Sequence, residues 1–159
     1  PTEMLEGGIT GDQAVPGSNG GSEGIMDQLS SEVTADIDEE DHRSHYDLGM
    51  AYLEMNLLSE AIREFQFATN STMYQIRSLE MIGRCFLEQN KPELAIKQLK
   101  RGLSLVGNDD DDSLGIRYNL GVAYEMTGDI EKAREYFEDV YVVDVTFRDV
   151  AEKVEKHAS

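Results

Sequence analysis

"HYDLGMAYLEMN" (residues 45–56) reads by itself as one turn-terminated stretch of amphipathic helix. Two further stretches change that reading: "LEMIGRCFLEQN" (79–90) and "RYNLGVAYEMTG" (117–128). Each runs on into a second helical pattern: "LLSEAIREFQFA", "KPELAIKQLKRG" and "DIEKAREYFEDV". Gly49 and Gly83 lie 34 residues apart, as do Ala61 and Ala95; Gly121 and Ala133 lie 38 further on. A fixed period built from two apolar stripes at helical spacing predicts a repeated helix–turn–helix unit and an all-α fold.

The residue types at the repeated positions have physical reasons. Gly49, Gly83 and Gly121 fall mid-helix, where glycine costs ~1 kcal/mol relative to alanine. Such a cost is offset if another helix approaches closely, and the small Ala61, Ala95 and Ala133 on the facing helix point to that. Tyr52, Phe86 and Tyr124, with Phe65, Leu99 and Phe137, then fill the space between helices. Pro92 suits the first helical position, where its missing N–H loses nothing. A single unit cannot bury its apolar face, so stacked units must supply the core.

An L-G-x-x-Y…A-x-x-x-F pattern on this period resembles the tetratricopeptide repeat. The matching residues are Leu48, Gly49, Tyr52, Ala61 and Phe65; then Ile82, Gly83, Phe86, Ala95 and Leu99; then Leu120, Gly121, Tyr124, Ala133 and Phe137. The family's early tryptophan is replaced by His45, Leu79 and Arg117, and its repeat-ending proline by Met73, Gly107 and Val145. The resemblance covers roughly residues 42–145 and implies a right-handed α-solenoid of three units (42–75, 76–113 and 114–145). "EEDHRSHYDLGMAYLEM" and "FRDVAEKV" also look like bacterial proteins of this class.

Outside the repeats, residues 1–24 hold seven of the fourteen glycines and few large apolar residues, the composition of a flexible tail or linker. Ile25, Leu29, Val33 and Ile37 then make one stripe of a separate N-terminal amphipathic helix, expected over 25–41. At the other end, Phe147, Val150, Ala151 and Val154 oppose Arg148, Glu152, Lys153, Glu155 and Lys156. Residues 146–159 are therefore expected to form a capping helix, apolar inward and charged outward.

The formal net charge of −18 is uneven: residues 1–41 hold eleven Asp or Glu and no Lys or Arg. A surface this acidic repels phosphate backbones, which argues against nucleic-acid binding. No apolar run reaches the ~20 residues of a membrane span, and no secretory signal is present. The chain starts at Pro1 and is read as a fragment or processed form. One cysteine excludes an internal disulfide framework and agrees with a reducing, cytoplasmic setting.

Candidates for chemistry are few, and no cofactor is expected. His42 and His45, one turn apart beside Asp41, make a conceivable surface metal pair, but His45 takes the aromatic packing position of its unit. Cys85 replaces the small Ala51 and Ala123 of the other units and reads as a packing thiol. No nucleophile–base constellation or phosphate loop occurs, so an enzyme is not expected. Asp109–Asp112 equal in length the difference between the 34- and 38-residue spacings and read as a loop insertion. Counted as a calcium loop from Asn108, Asp109 or Asp110, the run offers Asn119, Leu120 or Gly121 where a closing glutamate is needed. Placed just before a helix, the aspartates and Ser113 suit a helix N-terminus.

What the resemblance implies is a binding surface, in which the first helix of each unit lines a concave groove. Carried over position by position, its candidates are Arg43, Tyr46, Met50, Leu53 and Glu54; Arg77, Glu80, Arg84, Leu87 and Glu88; and Gly115, Tyr118, Val122, Glu125 and Met126. Apolar anchors beside Arg77 and Arg84 suit a protein or peptide segment carrying apolar and acidic residues. The branch of the family that grips a terminal carboxylate uses Lys and Asn; here Tyr46, Met50, Met81 and Gly115 stand there, leaving only Asn119 polar. Self-association as a structural element is the alternative. The N-terminal helix would extend the stack, lie in the groove against Arg77 and Arg84, or swap onto a second chain.

Overall fold

The computed structural model describes residues 20–106 and 111–158. Among the described residues the elements are all helical: α1 (Gly20–Glu54), α2 (Leu58–Ala68), α3 (Gln75–Glu88), α4 (Pro92–Leu105), α5 (Asp111–Thr127), α6 (Ile130–Val143) and α7 (Val150–Lys156). The chain divides into Pro1–Asp36 and Ile37–Ser159. Most of the Gly-rich stretch expected as a tail, residues 1–19, lies outside the described residues, whereas Gly20–Gly24 begin α1.

No break separates an N-terminal helix from the first repeat: α1 is continuous from Gly20 to Glu54. "DIDEEDHRS" contains neither Pro nor Gly, so nothing in its backbone chemistry stops a helix. Every described side chain from Gly24 to Val33 is exposed.

Within Ile37–Ser159 each helix from α2 onward packs on the next, and α3 also packs on α5. That is the connectivity of stacked pairs. The turn inside each pair is the same device three times. Asn56 (φ 58°), Asn90 (φ 59°) and Gly128 (φ 85°) take the left-handed conformation just past the first helix. The next N–H groups, of Leu57, Lys91 and Asp129, reach back to the carbonyls of Tyr52, Phe86 and Tyr124 at 2.9, 2.8 and 3.0 Å. Asparagine tolerates this conformation and glycine is free in it, so two residue types write the same turn. Pro92 opens α4 as expected, and Asp129 caps α6 by accepting from the Lys132 N–H at 3.2 Å.

The core explains the mid-helix glycines. A Cβ on Gly49 would lie 2.7 Å from the Phe65 ring, on Gly83 2.5 Å from Leu99, and on Gly121 2.6 Å from Phe137. The close approach is made by the large side chain of the facing helix, rather than by the alanine four residues earlier. Phe65, Leu99 and Phe137 are fully buried, as are Ala61, Ala95 and Ala133. Ile82 and Cys85 join Leu53 and Phe65 in one cluster. A second cluster runs from Ala95 and Leu99 through Ile116, Leu120 and Phe137 to Val150 of α7.

The aspartate run is divided between helix and undescribed residues. Asp111 and Asp112 form the first turn of α5, where acids complement the exposed N–H groups. Ser113 is buried inside that helix instead of capping it. Asp109 and Asp110 lie outside the described residues.

Candidate functional site

A cavity of about 350 Å³ crosses the first helices of the three pairs. Its walls include Tyr46 of α1, Arg77, Glu80 and Met81 of α3, Asp111, Asp112 and Gly115 of α5, and Phe147 and Arg148 from the α6–α7 connection. Sequence reasoning placed Tyr46, Arg77, Glu80 and Gly115 on such a surface. Phe147 and Arg148 were assigned to the capping helix, and they reach the groove because the chain turns at 144–149 before α7 begins.

Glu80 sits at the centre of this wall. Its carboxylate occupies the space a side chain at position 115 would need: a Cβ on Gly115 would fall 2.1 Å from Glu80 Oε1. Burial pushes the Glu80 carboxyl up from its ordinary value, against the opposing charges of Arg148 and Arg84. The Arg148 guanidinium stands 3.8 Å from Glu80 Oε1, a loose pair. It also lies 5.0 Å from the ring centres of Tyr118 and Phe147 and donates to Asn119 Oδ1 at 3.4 Å. Arg148 holds a left-handed backbone (φ 46°), which costs a non-glycine residue of order 1–3 kcal/mol. The contacts of its guanidinium compensate that strain.

The remaining candidates separate by environment. Leu53 is 7% exposed and belongs to the core, so it lines no groove. Met50 packs against the same cluster, and Leu87 and Val122 pack against the second one. Arg43 is exposed and pairs with Asp47 at 3.8 Å. Arg84 is half-exposed and pairs with Glu88 at 3.3 Å. Glu54, Glu88 and Met126 are at the surface.

Tyr118 and Glu125 are engaged by the C-terminal cap. The Tyr118 hydroxyl donates to Asp149 Oδ1, and burial followed by this bond pushes the phenol up. Lys153 Nζ donates to Glu125 Oε1 at 2.6 Å, and His157 Nε2 lies 2.5 Å from Glu125 Oε2. Burial would raise the Glu125 carboxyl, but the bonds from Lys153 and His157 outweigh it and hold it below the ordinary value. His157, which stacks on Phe137 at 6.0 Å, was not singled out from sequence as a packing residue.

The histidine and cysteine candidates have structural partners. His45 stacks on Phe67 at 4.8 Å, and its Nδ1 lies 2.5 Å from Glu64 Oε2. Cys85 is fully buried, and burial pushes its thiol up to about 11.

Helix pairs of this kind, closed by a glycine against a large apolar residue and stacked so that their first helices share one groove, define a tetratricopeptide-repeat scaffold. The sequence profile of the Tetratricopeptide repeat family matches residues 80–144. The fold is similar to the Arabidopsis OM64 TPR domain (TM-score 0.68, 13% identity, 76% of this chain and 96% of that one). It is also similar to the first TPR of Spaghetti (RPAP3) bound to HSP90 peptide SRMEEVD (TM-score 0.67, 13% identity, 75% and 91% covered). In sequence, 94 residues are 30% identical to response regulator aspartate phosphatase A of Bacillus subtilis strain 168, 58% of this chain. The chain spans 25% of the length of that relative. The chain thus has the tetratricopeptide-repeat fold and matches that family's sequence profile over residues 80–144, and such a scaffold in general serves protein–protein interaction. Among the described residues no helix is long and apolar enough to cross a membrane.

Proposed function

We propose that the chain is a non-catalytic adaptor that binds a peptide or helix of a partner protein in the groove between Tyr46, Arg77, Glu80 and Arg148. The observation that carries this reading is the cavity itself, which joins aromatic surface to charges of both signs across all three pairs. Tyr46, Met81 and Phe147 suit apolar residues of the partner, and Arg77 suits an acidic one. Asp111 and Asp112 oppose a uniformly acidic ligand, which narrows the acidic preference to the side of the groove where Arg77 stands. Peptide binding by the similar RPAP3 domain supports the use of such a groove. The relative from Bacillus bears the name of a phosphatase; in this chain the buried Cys85 and the structurally engaged His45 and His157 favour a scaffolding role. A cytoplasmic setting agrees with a lone, buried thiol.

The experiment is affinity capture from native lysate with wild type, Arg77→Glu, and Lys97→Glu on the exposed face of α4. A prey protein lost with Arg77→Glu and retained with Lys97→Glu is the groove ligand. Identical prey for all three chains overturns the groove assignment.

Self-association is a second reading because apolar residues crowd the end of α6: Val142 is 83% exposed, beside Val143 and Val145. Light scattering over a range of concentrations tests it, and a strict monomer removes it.

A further inference from the structure

The first half of α1 carries a surface that the groove does not use. Ile25, Met26, Leu29 and Val33 are 59%, 68%, 50% and 56% exposed, four large apolar side chains within three helical turns. Spacing of four residues puts Ile25, Leu29 and Val33 on one side of the helix. Single exposed apolar residues are ordinary, but a continuous stripe marks a surface that something covers. The charges beside it have one sign. Between Gly20 and Asp36 the only charged residues are Glu23, Asp27, Glu32 and Asp36. Glu32 comes three residues after Leu29 and so borders the stripe.

We propose that residues 24–33 of α1 are a docking face for an amphipathic helix of a partner whose apolar stripe is bordered by Lys or Arg. The charge pattern selects this occupant. A second copy of α1 would set acids against acids at the flanking positions, where like charges oppose helix pairing. An anionic lipid surface would be repelled, and helices that lie on membranes carry Lys and Arg beside their apolar face, which this one lacks. A basic amphipathic helix places cations against Glu32 while the two apolar stripes cover each other. The helical conformation is in place before docking, because α1 continues into its packed second half. That half supplies the costly nucleus, from which the exposed turns propagate.

The test uses the full chain and two designed helical peptides with the same leucine stripe, one flanked by lysines and one by glutamates, each followed by fluorescence anisotropy. The lysine peptide is expected to bind, more weakly at high salt, and the glutamate peptide to bind at least about tenfold less tightly. Leu29→Asp/Val33→Asp is expected to weaken the lysine peptide by about tenfold or more, with the unfolding midpoint of the repeats unchanged. Glu32→Lys is expected to shift the preference away from the lysine peptide and toward the glutamate peptide. Equal loss with Glu131→Lys/Glu135→Lys on α6 would show diffuse attraction to an acidic chain and overturn the proposal. So would a chain that is dimeric without peptide and becomes monomeric with Leu29→Asp/Val33→Asp, since the occupant is then a second copy.

Discussion

α1 contains two regions that look alike in sequence and differ in circumstance. Both carry apolar residues at helical spacing, Ile25–Leu29–Val33 in the first half and Tyr46–Met50–Leu53 in the second. In the first half every described side chain from Gly24 to Val33 is exposed, whereas Leu53 and Gly49 are buried. The difference lies in the next segment of the chain. Residues 45–56 precede a turn that folds α2 back onto them, with Phe65 against Gly49, and residues 24–33 run straight on into more of the same helix. An amphipathic pattern therefore states that a helix has a face to cover, and the neighbouring segments decide whether this chain covers it.

Two pairs of substitutions would break or sharpen that contrast. The largest effect is expected for Phe65→Ala, which removes the fully buried ring behind Gly49 and should cost about 3–5 kcal/mol in denaturant unfolding. Leu29→Ala, in the exposed half, should change the same transition by less than about 0.5 kcal/mol. Comparable losses at the two positions would mean that both halves are core.

Glycines on the same helix give a smaller effect of opposite sign. At Gly49 an added Cβ meets the Phe65 ring, so Gly49→Ala should destabilise by about 1–3 kcal/mol despite alanine's better helix propensity. Around Gly24 nothing lies within 4 Å, and Gly24→Ala should strengthen the local helix by up to ~1 kcal/mol. Slower amide exchange in the first turns of α1 would register that gain. A stabilising Gly49→Ala would show that the ring moves aside and would remove the packing explanation.

The smallest effect concerns the other end of the stack and depends on pH. The Glu125 carboxyl is held below its unfolded value, so its stabilisation is full above that value and is lost as pH falls through the lower folded one. Glu125→Gln should cost on the order of 1–2 kcal/mol near neutrality. Its stability should also fall less steeply than wild type's on acidification below about pH 4.5. Parallel pH profiles for the two proteins would remove Glu125 from the cap's ion pairing.

The helix pairs and their register were legible because the repeat states them three times, and local spacing suffices for them; that Phe65, Leu99 and Phe137 rather than the alanines press on the glycines was not. The groove was legible only in part. Leu53, Leu87 and Glu125 occupy one repeat position, and Tyr46, Glu80 and Tyr118 another. Sequence reasoning put both sets on the binding surface. Leu53 is core, Leu87 packs on the cluster containing α5, and Glu125 is bonded to Lys153 and His157 beside α7. Tyr46 meets Tyr74, Glu80 fills the space beside Gly115, and Tyr118 meets Phe147 and Asp149. Both positions thus serve contact with the next element in the stack. A groove stripe and a stacking stripe share the same helical period, so periodicity alone does not separate them. Gly115 was the available signal, since a small residue where the other units have Arg43 and Arg77 leaves room for Glu80.

The sequence by itself determined the all-α class, the tetratricopeptide units and the packing role of Cys85, because each follows from local spacing or composition. Tertiary structure decided the rest. It made α1 one helix, set Asp111 and Asp112 in the first turn of α5, and brought Arg148 against Glu80, 68 residues away in the chain. Those outcomes depend on which surfaces meet when successive pairs stack, and pairwise distance in space is not encoded by the period of any one helix.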